Sequence, residues 1–311
     1  VKYRGKEERM SYREEQRQKA AKIRDEVIKD PGQGLFYRKP RDFVLSEPAS
    51  NLWEGIRADA VEYFNKNQIK WWKGEGDKPT GHLLSSQVAC VNHLYFVRQR
   101  HDAATKILKA IEPSIVSAET VDTGFVEFEF IGGKQYLKEK AFTRGANCTS
   151  VDAAMIGKNG KGEKVLFLIE WKYTEYYQSE SLYIPERSKV YDGLINATDS
   201  PFVKSEPQAF YYEPFYQMMR QTLLGSLCAK NKDHDCVDFR HVHVIPAENK
   251  ELLNTITSPK FSGKTLSEAW GKVLKEPQKY KTVSPEEFIR PAGECLDTNA
   301  VLEYLKVRYW N

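Results

Sequence analysis

No stretch of this 311-residue chain approaches the roughly 18 uninterrupted apolar residues that a membrane-spanning helix requires. The opening segment, KYRGKEERMSYREEQRQKAAKIRDEVIKD, holds charge where a secretory signal would hold an apolar core. The expected location is therefore cytoplasmic, with no membrane partner. Cysteine is scarce: Cys90, Cys148, Cys228, Cys236 and Cys295 are odd in number and never spaced as CxxC, which speaks against a disulfide framework or a zinc knuckle. A glycine-rich phosphate loop, a GxSxG elbow and a dinucleotide-binding fingerprint are all missing, so ATP-driven and hydride-transfer chemistry have no support. Internal repeats and low-complexity tracts are missing too. Nor is one sign of charge in strong excess: 47 Lys and Arg against 43 Asp and Glu leave a formal charge of +4. That balance permits a polyanionic partner without demanding one.

What is present is an ordinary globular composition, 41% hydrophobic and 29% charged, with 12% aromatic residues that argue against disorder. Residues 11–28 read as a polar surface helix stopped by Pro31-Gly32. Over 51–66, Trp53, Ile56, Ala60 and Phe64 recur at helical spacing. The Gly- and Pro-rich KGEGDKPTG (73–81) marks a boundary. Leu84, Val88, Val91 and Tyr95 predict a helix over about 82–98. Strand-like segments follow: VEFEFIGG from 126, NCTSVDAAMIG from 147 and KVLFLIEWKY from 164. A helix near 212–230 and a strand FRHVHVIP (239–246) come next, then short helices. The order from 82 to 246 is helix, strand, strand, strand, helix, strand, an α/β sandwich. The expected division is one domain: a helical N-terminal extension (1–80), a core (81–246) and a helical C-terminal extension (247–311).

KVLFLIEWKY is the most informative stretch. Val165 to Ile169 is continuously apolar, as in a strand covered on both faces. Glu170 and Lys172 enter this run two residues apart, hence on one face. Buried charge demands a partner or a metal. In TSVDAAMIG, Asp152 is likewise a lone acid among apolar neighbours. Pairing Asp152 with Glu170 across a hairpin requires Lys158 opposite Lys164 and a five-residue loop, Asn159 to Glu163. Cβ atoms of the two acids would then stand roughly 4.5–5.5 Å apart. A tight turn on Asn159-Gly160 would instead set Asp152 against Phe167, out of reach of Glu170. The longer loop is the register expected. Hard oxygen ligands without His or Cys favour Mg²⁺ or Mn²⁺. Lys172 beside the ion would orient a water or balance charge on the phosphate.

At these residues the chain resembles the PD-(D/E)XK superfamily of restriction-endonuclease-like nucleases. Asp152 and Glu170-Trp171-Lys172 match its motif. SSQVACVNHLYF (85–96) and TRGANCTSVD (143–152) resemble a bacterial branch described as restriction endonucleases. The resemblance covers roughly residues 50–245. It implies an αβββαβ core with a mixed central sheet flanked by helices, and metal-dependent hydrolysis of DNA. It also implies that Asp152, Glu170 and the Trp171 carbonyl hold the ion while Lys172 assists catalysis. The tripeptide alone is unspecific, since Glu248-Asn249-Lys250 repeats it at what reads as a solvated helix start.

One departure stands out. Many members carry an acid on the first core helix, whereas residues 82–100 hold none. Gln87 would have to substitute, or failing that Asn92. A DNA-binding or assembly protein that keeps the fold without effective catalysis is the alternative; the absent helix acid speaks for it, the intact Asp/Glu/Lys set against it. Gln87, Arg144 and Gln221 are the candidate substrate-binding residues, with Glu139 a candidate further carboxylate and Gln217 and Arg220 on the helix of Gln221. His241 and His243 read as structural strand residues for want of a third ligand. Tyr176–Tyr177, Phe210–Tyr212, Trp71 and Trp72 read as packing aromatics, and Lys158, Lys161 and Lys164 as a solvated turn. The N-terminal extension fits either a homodimer contact or a DNA contact, and the sequence leaves both open.

Overall fold

The computed structural model describes residues 10–145 and 148–310. Helix α1 (Tyr12–Lys22) is capped by Ser11, whose hydroxyl accepts from the Glu14 amide, and winds on as a π-turn through Ile28. A hairpin follows, β1 (Gln33–Phe36) and β2 (Lys39–Leu45), and then α2 (Glu54–Lys66). Helix α3 (Ser86–Leu94), capped by Ser85, is shorter than the expected 82–98 and passes through a 3₁₀ turn into α4 (His101–Ile111).

A six-stranded mixed sheet comes next. It holds β3 (Ile115–Glu119), β4 (Glu127–Phe130), β5 (Val151–Asn159) and β6 (Lys164–Trp171). Helices α5 (Pro185–Ile195) and α6 (Phe215–Lys230) lead to β7 (Cys236–Val244). The strand expected from Asn147 thus starts at Val151, and Asn147 lies outside the described residues. Short helices α7 (Lys250–Asn254) and α8 (Leu266–Gly271), strand β8 (Tyr280–Val283), and helices α9 (Pro285–Ile289) and α10 (Asn299–Leu305) complete the order. Both extensions therefore carry strands as well as helices. Lys250 opens α7 behind an Asn249 cap, so the second Glu-x-Lys copy sits at a helix start, as the sequence suggests.

β3 and β4 share one edge of β5, both antiparallel; β5 pairs antiparallel with β6, and β6, β7 and β8 run parallel. The β5–β6 register is the long-loop one: Lys158 faces Lys164 and Ala153 faces Ile169. Asn159 closes that loop, its side-chain oxygen accepting from the amides of Lys161 at 2.9 Å and Glu163 at 3.0 Å.

Alternation along the sheet feeds two apolar layers. Met155, Phe167 and Ile169 pack with α2, α3, α4 and α9, whereas Ile156, Leu166 and Leu168 pack with α5, α6 and α8. On the α6 side Gly225 lets the helix approach closely, for an added Cβ would stand 2.5 Å from the Phe239 ring and 2.7 Å from Leu168. Gly225→Ala is expected to cost about 1–3 kcal/mol through overpacking, although alanine favours helix by about 1 kcal/mol. A urea melt checks this, and an unchanged midpoint would show that the ring yields. Among the described residues no helix is long and apolar enough to cross a membrane.

Candidate active site

The apolar run of β6 ends in charge at the rim of a cavity of about 420 Å³ between α3 and α6, lined by Gln87, Glu129, Asp152, Glu170, Lys172 and Gln217 among others. Glu170 is 4% and Lys172 5% exposed. Their ion pair, Nζ to Oε1, is 2.8 Å long. A buried pair repays its desolvation only if the remaining donors and acceptors are satisfied. Here α6 satisfies them. The Gln217 amide donates to Glu170 Oε1 at 2.7 Å while its carbonyl accepts from Lys172 Nζ, and Gln221 donates to Glu170 Oε2 at 2.5 Å. Gln217 and Gln221 lie four residues apart on one helix, so both reach the same carboxylate. Burial alone would lower the Lys172 pKa, but Glu170 together with Tyr177, Glu175 and Asp152 outweighs it and holds the ammonium well above its ordinary range.

Asp152 is half-buried on β5. Extending the register one residue past Ala153–Ile169 sets it opposite Glu170. One carboxylate oxygen, Oδ2, accepts from the Trp171 amide at 2.7 Å. Oδ1 has no donor among the described residues. Burial, with Glu170 and Glu129 adding repulsion, pushes the Asp152 pKa well up.

Glu129 is the acid that the sequence reading missed. It lies on β4 between the rungs Phe128–Ala153 and Phe130–Val151, which sets it beside Asp152. Three carboxylates thus form a row across three adjacent strands. Glu129 adopts a left-handed backbone, φ 50°. The pleat is interrupted there: Phe128 joins one apolar layer and Phe130 the other, although two residues apart. Glu129 is 7% exposed, accepts from Gln87 Nε2 at 2.7 Å and from the Ser150 hydroxyl at 3.1 Å, and burial raises its pKa to about 7. The sequence signal was Glu127 and Glu129 alternating with Val126, Phe128 and Phe130, the same acid-in-apolar pattern that marks Asp152.

Gln87 projects from the first turn of α3 into the cavity. Its carbonyl accepts from the Trp72 amide at 2.8 Å, and its amide donates to the Lys70 carbonyl and to Glu129. The position that holds an acid in many superfamily members therefore presents a carboxamide that grips an acid from the sheet. Gln221 is fully buried and touches Glu170 behind the cavity wall, its carbonyl facing His241 Nε2 at 3.2 Å. Arg144 does not line the cavity: its guanidinium meets the Phe128 carbonyl, the Tyr63 hydroxyl at 3.1 Å and Glu127 at 3.4 Å. Glu139 is taken up by Thr149 and Tyr191, and Arg220 reaches Thr149. Asn92 ties α3 to Asn51 and Tyr309. His241 and His243 are buried on β7, and among the described residues no group of three or more His, Cys, Asp or Glu side chains is placed to hold a metal ion. Trp71 packs on Phe64, ring centroids 3.8 Å apart, whereas Trp72 is 46% exposed at the cavity mouth, contrary to its reading as a packing residue.

A six-stranded mixed sheet between helical layers, with α3, strands β4, β5 and β6, α6 and β7 following in chain order and β3 added ahead of β4, is a restriction-endonuclease-like core. Its family follows from the whole chain: the protein belongs to the family described as restriction endonuclease associating with ARP, whose model matches residues 3–310. This agrees with the resemblance to restriction endonucleases drawn from the motifs. No curated protein and no solved structure matches the chain.

Proposed function

We propose that the protein is a divalent-metal-dependent endonuclease that hydrolyses DNA phosphodiester bonds, of restriction or defence type. The observation that carries this reading is the row Glu129, Asp152, Glu170 beside a buried lysine in one open cavity. Glu129 also answers the missing helix acid, the only feature that favoured a DNA-binding protein without effective catalysis.

The donor chemistry fits a hard cation such as Mg²⁺ or Mn²⁺. Asp152 has an oxygen without a donor among the described residues, and neither Asp152 nor Glu129 has a cationic partner within bonding distance among them. Asp152, Glu170 and the Trp171 carbonyl would hold the ion, with Glu129 at the edge of the set. Glu170 Oε1 accepts from Lys172 and Gln217 and Oε2 from Gln221, so a bound ion would compete with these donors. A bound ion supplies Lewis-acid neutralisation of charge on the reacting phosphate. Lys172, kept cationic by Glu170, is set to orient the attacking water and to face the negative charge growing on the phosphate. Gln217 and Gln221 hold Glu170 in place, and Gln87 does the same for Glu129. The association named in the family description would be a further property of the assembled protein.

The test is cleavage of supercoiled plasmid, linear and single-stranded DNA with Mg²⁺ or Mn²⁺ against EDTA. Metal-dependent nicking or linearisation is expected, and Glu129→Gln should slow it about 10- to 100-fold, the usual effect of losing a group that supports a metal site. Absence of cleavage on every DNA form with both ions would end the reading.

A further inference from the structure

The cavity does not end at the carboxylates. Arg13, Tyr176 and Tyr177 line both it and a neighbouring recess of about 440 Å³. Arg17 lines that second recess and a third of about 360 Å³ beside Arg41 and Phe43. Together the three make a groove that leaves the site along α1. The helix is anchored one residue beyond Lys172: the Tyr173 hydroxyl donates to Gln16 at 3.1 Å. The loop after β6 is fixed as well, since the Asn249 amide donates to the carbonyls of Tyr173 and Glu175.

Charge and aromatic faces coincide in this groove. Among the described residues Arg13 has no carboxylate within ion-pair distance, and its buried Nε has no partner. Arg17 contacts Glu14 at 2.9 Å, yet its Nε is also unpartnered. Both guanidinium groups lie near enough, after burial, to help hold the His82 pKa down to about 4. Of the acids at the groove, Glu175 is turned inward onto the Tyr173 amide at 2.6 Å, Glu14 pairs with Arg17 at 2.9 Å, Asp42 faces Arg24 at 3.8 Å, and Glu251 remains on the wall. Two aromatic side chains stand half-exposed at the mouth, Trp72 at 46% and Tyr176 at 47%. The amide of Trp72 is held by Gln87, and Arg13 lies 6.0 Å from the Tyr176 ring centre.

Exposed rings beside a carboxylate-lined cavity are a stacking platform. In a duplex the face of each base is covered by its neighbour, leaving such rings nothing to cover. We infer that the groove takes one unpaired DNA strand, with phosphates against Arg13 and Arg17 and bases stacked on Trp72 and Tyr176. This substrate class rests on the nuclease reading of the cavity. Stacking reads no base edge, so binding is indifferent to sequence along the groove.

The experiment is fluorescence anisotropy in EDTA with a labelled oligo(dT) strand and a blunt duplex of equal length, so that binding is read without cleavage. The single strand is expected to bind at least tenfold more tightly. Trp72→Ala and Tyr176→Ala should each weaken it about 5- to 150-fold while barely changing duplex binding. Trp72→Phe, which keeps a ring, should retain most of the affinity. Arg13→Ala should flatten the salt dependence by about 0.7 in the log–log slope. Equal affinity for duplex and single strand, or wild-type single-strand binding by the two alanine variants with unchanged melting temperatures, overturns the inference. That outcome leaves the nuclease reading intact if plasmid is still cut. Ring-dependent strand binding without cleavage of any DNA would preserve the groove and remove the nuclease.

Discussion

Asp152→Asn and Lys172→Ala are each expected to lower the rate of metal-dependent DNA cleavage by about 10²- to 10⁴-fold, the range for losing a group that moves or stabilises charge in the transition state. The variants act differently. Asp152→Asn removes a negative ligand while keeping an oxygen that can still accept from the Trp171 amide, so the end of β6 stays tied to β5. Lys172→Ala leaves Glu170 with its two glutamine donors but without its cation. That uncompensated buried carboxylate will cost stability, so the fold of this variant must be checked by circular dichroism alongside the rate. Lys172→Met, which keeps the stem and loses the charge, separates the two effects. Lys250→Ala is the internal control, because Lys250 is exposed at the start of α7 and should leave cleavage and melting unchanged. Equal losses from Lys172→Ala and Lys250→Ala would show that the position of the lysine does not matter, and the assignment would fall.

Glu129→Gln is expected to gain stability relative to wild type as pH rises. The sign follows from proton binding. Burial raises Glu129 from its ordinary 4.5 to about 7, so the native state holds the proton more tightly than the unfolded chain. Its favourable contribution is complete below about 4.5 and is lost as pH climbs through about 7. Relative to wild type, the neutral glutamine variant should therefore gain stability over that interval, on the order of 3 kcal/mol in all. A difference between two proteins is needed, because buried histidines push the other way in wild type. Burial holds His82 near 4 and both His93 and His241 near 3, so these groups favour the folded state as pH rises toward their ordinary 6.5. Paired urea melts from pH 4 to 8.5 measure the difference, and a flat line would show that Glu129 ionises normally in the fold. At pH 8, above the Glu129 pKa of about 7, Mn²⁺ at a hundred times its dissociation constant should add about 2.7 kcal/mol to wild type. Asp152→Asn should gain far less; an equal gain would place the ion elsewhere.

The parts of the fold legible in sequence were those whose side-chain period matches their backbone. β5, β6 and α6 are long, apolar and regular, and a five-residue loop fixed their register to the residue. The β1–β2 hairpin was invisible because its two-residue turn, Tyr37 and Arg38, takes left-handed φ of 51° and 61° without glycine or asparagine. β3 is five residues long and half-exposed, and α4 follows α3 with only a 3₁₀ turn between them, so neither announces itself. β8 has four residues, one of them buried, and becomes a strand only because β7 lies beside it. At the site, Asp152, Glu170 and Lys172 could be read from composition of their strands. Glu129 could not be placed on the same row, since strict alternation would have put it on the face of Glu127, and the left-handed kink that re-aims it is set by tertiary contacts. Arg144, guessed as a phosphate contact, shows the converse: a cation near the motif in sequence was claimed by the Phe128 carbonyl and Glu127.

Helix α3, which carries Gln87, is held from behind by residues made much later. The Asn92 amide donates to the Tyr309 hydroxyl, and the Trp310 indole donates to His93, each across 217 positions of chain. Arg308 clamps the Asn51 carbonyl across 257. During synthesis at about 5–20 residues per second, the segment from α3 to β7 is made several seconds before residues 308–310 exist. For that interval α3 lacks its backing, and Gln87 lacks the support that aims it at Glu129. A cell that makes this protein is thereby given a delay between translating Glu129, Asp152, Glu170 and Lys172 and completing the frame behind Gln87.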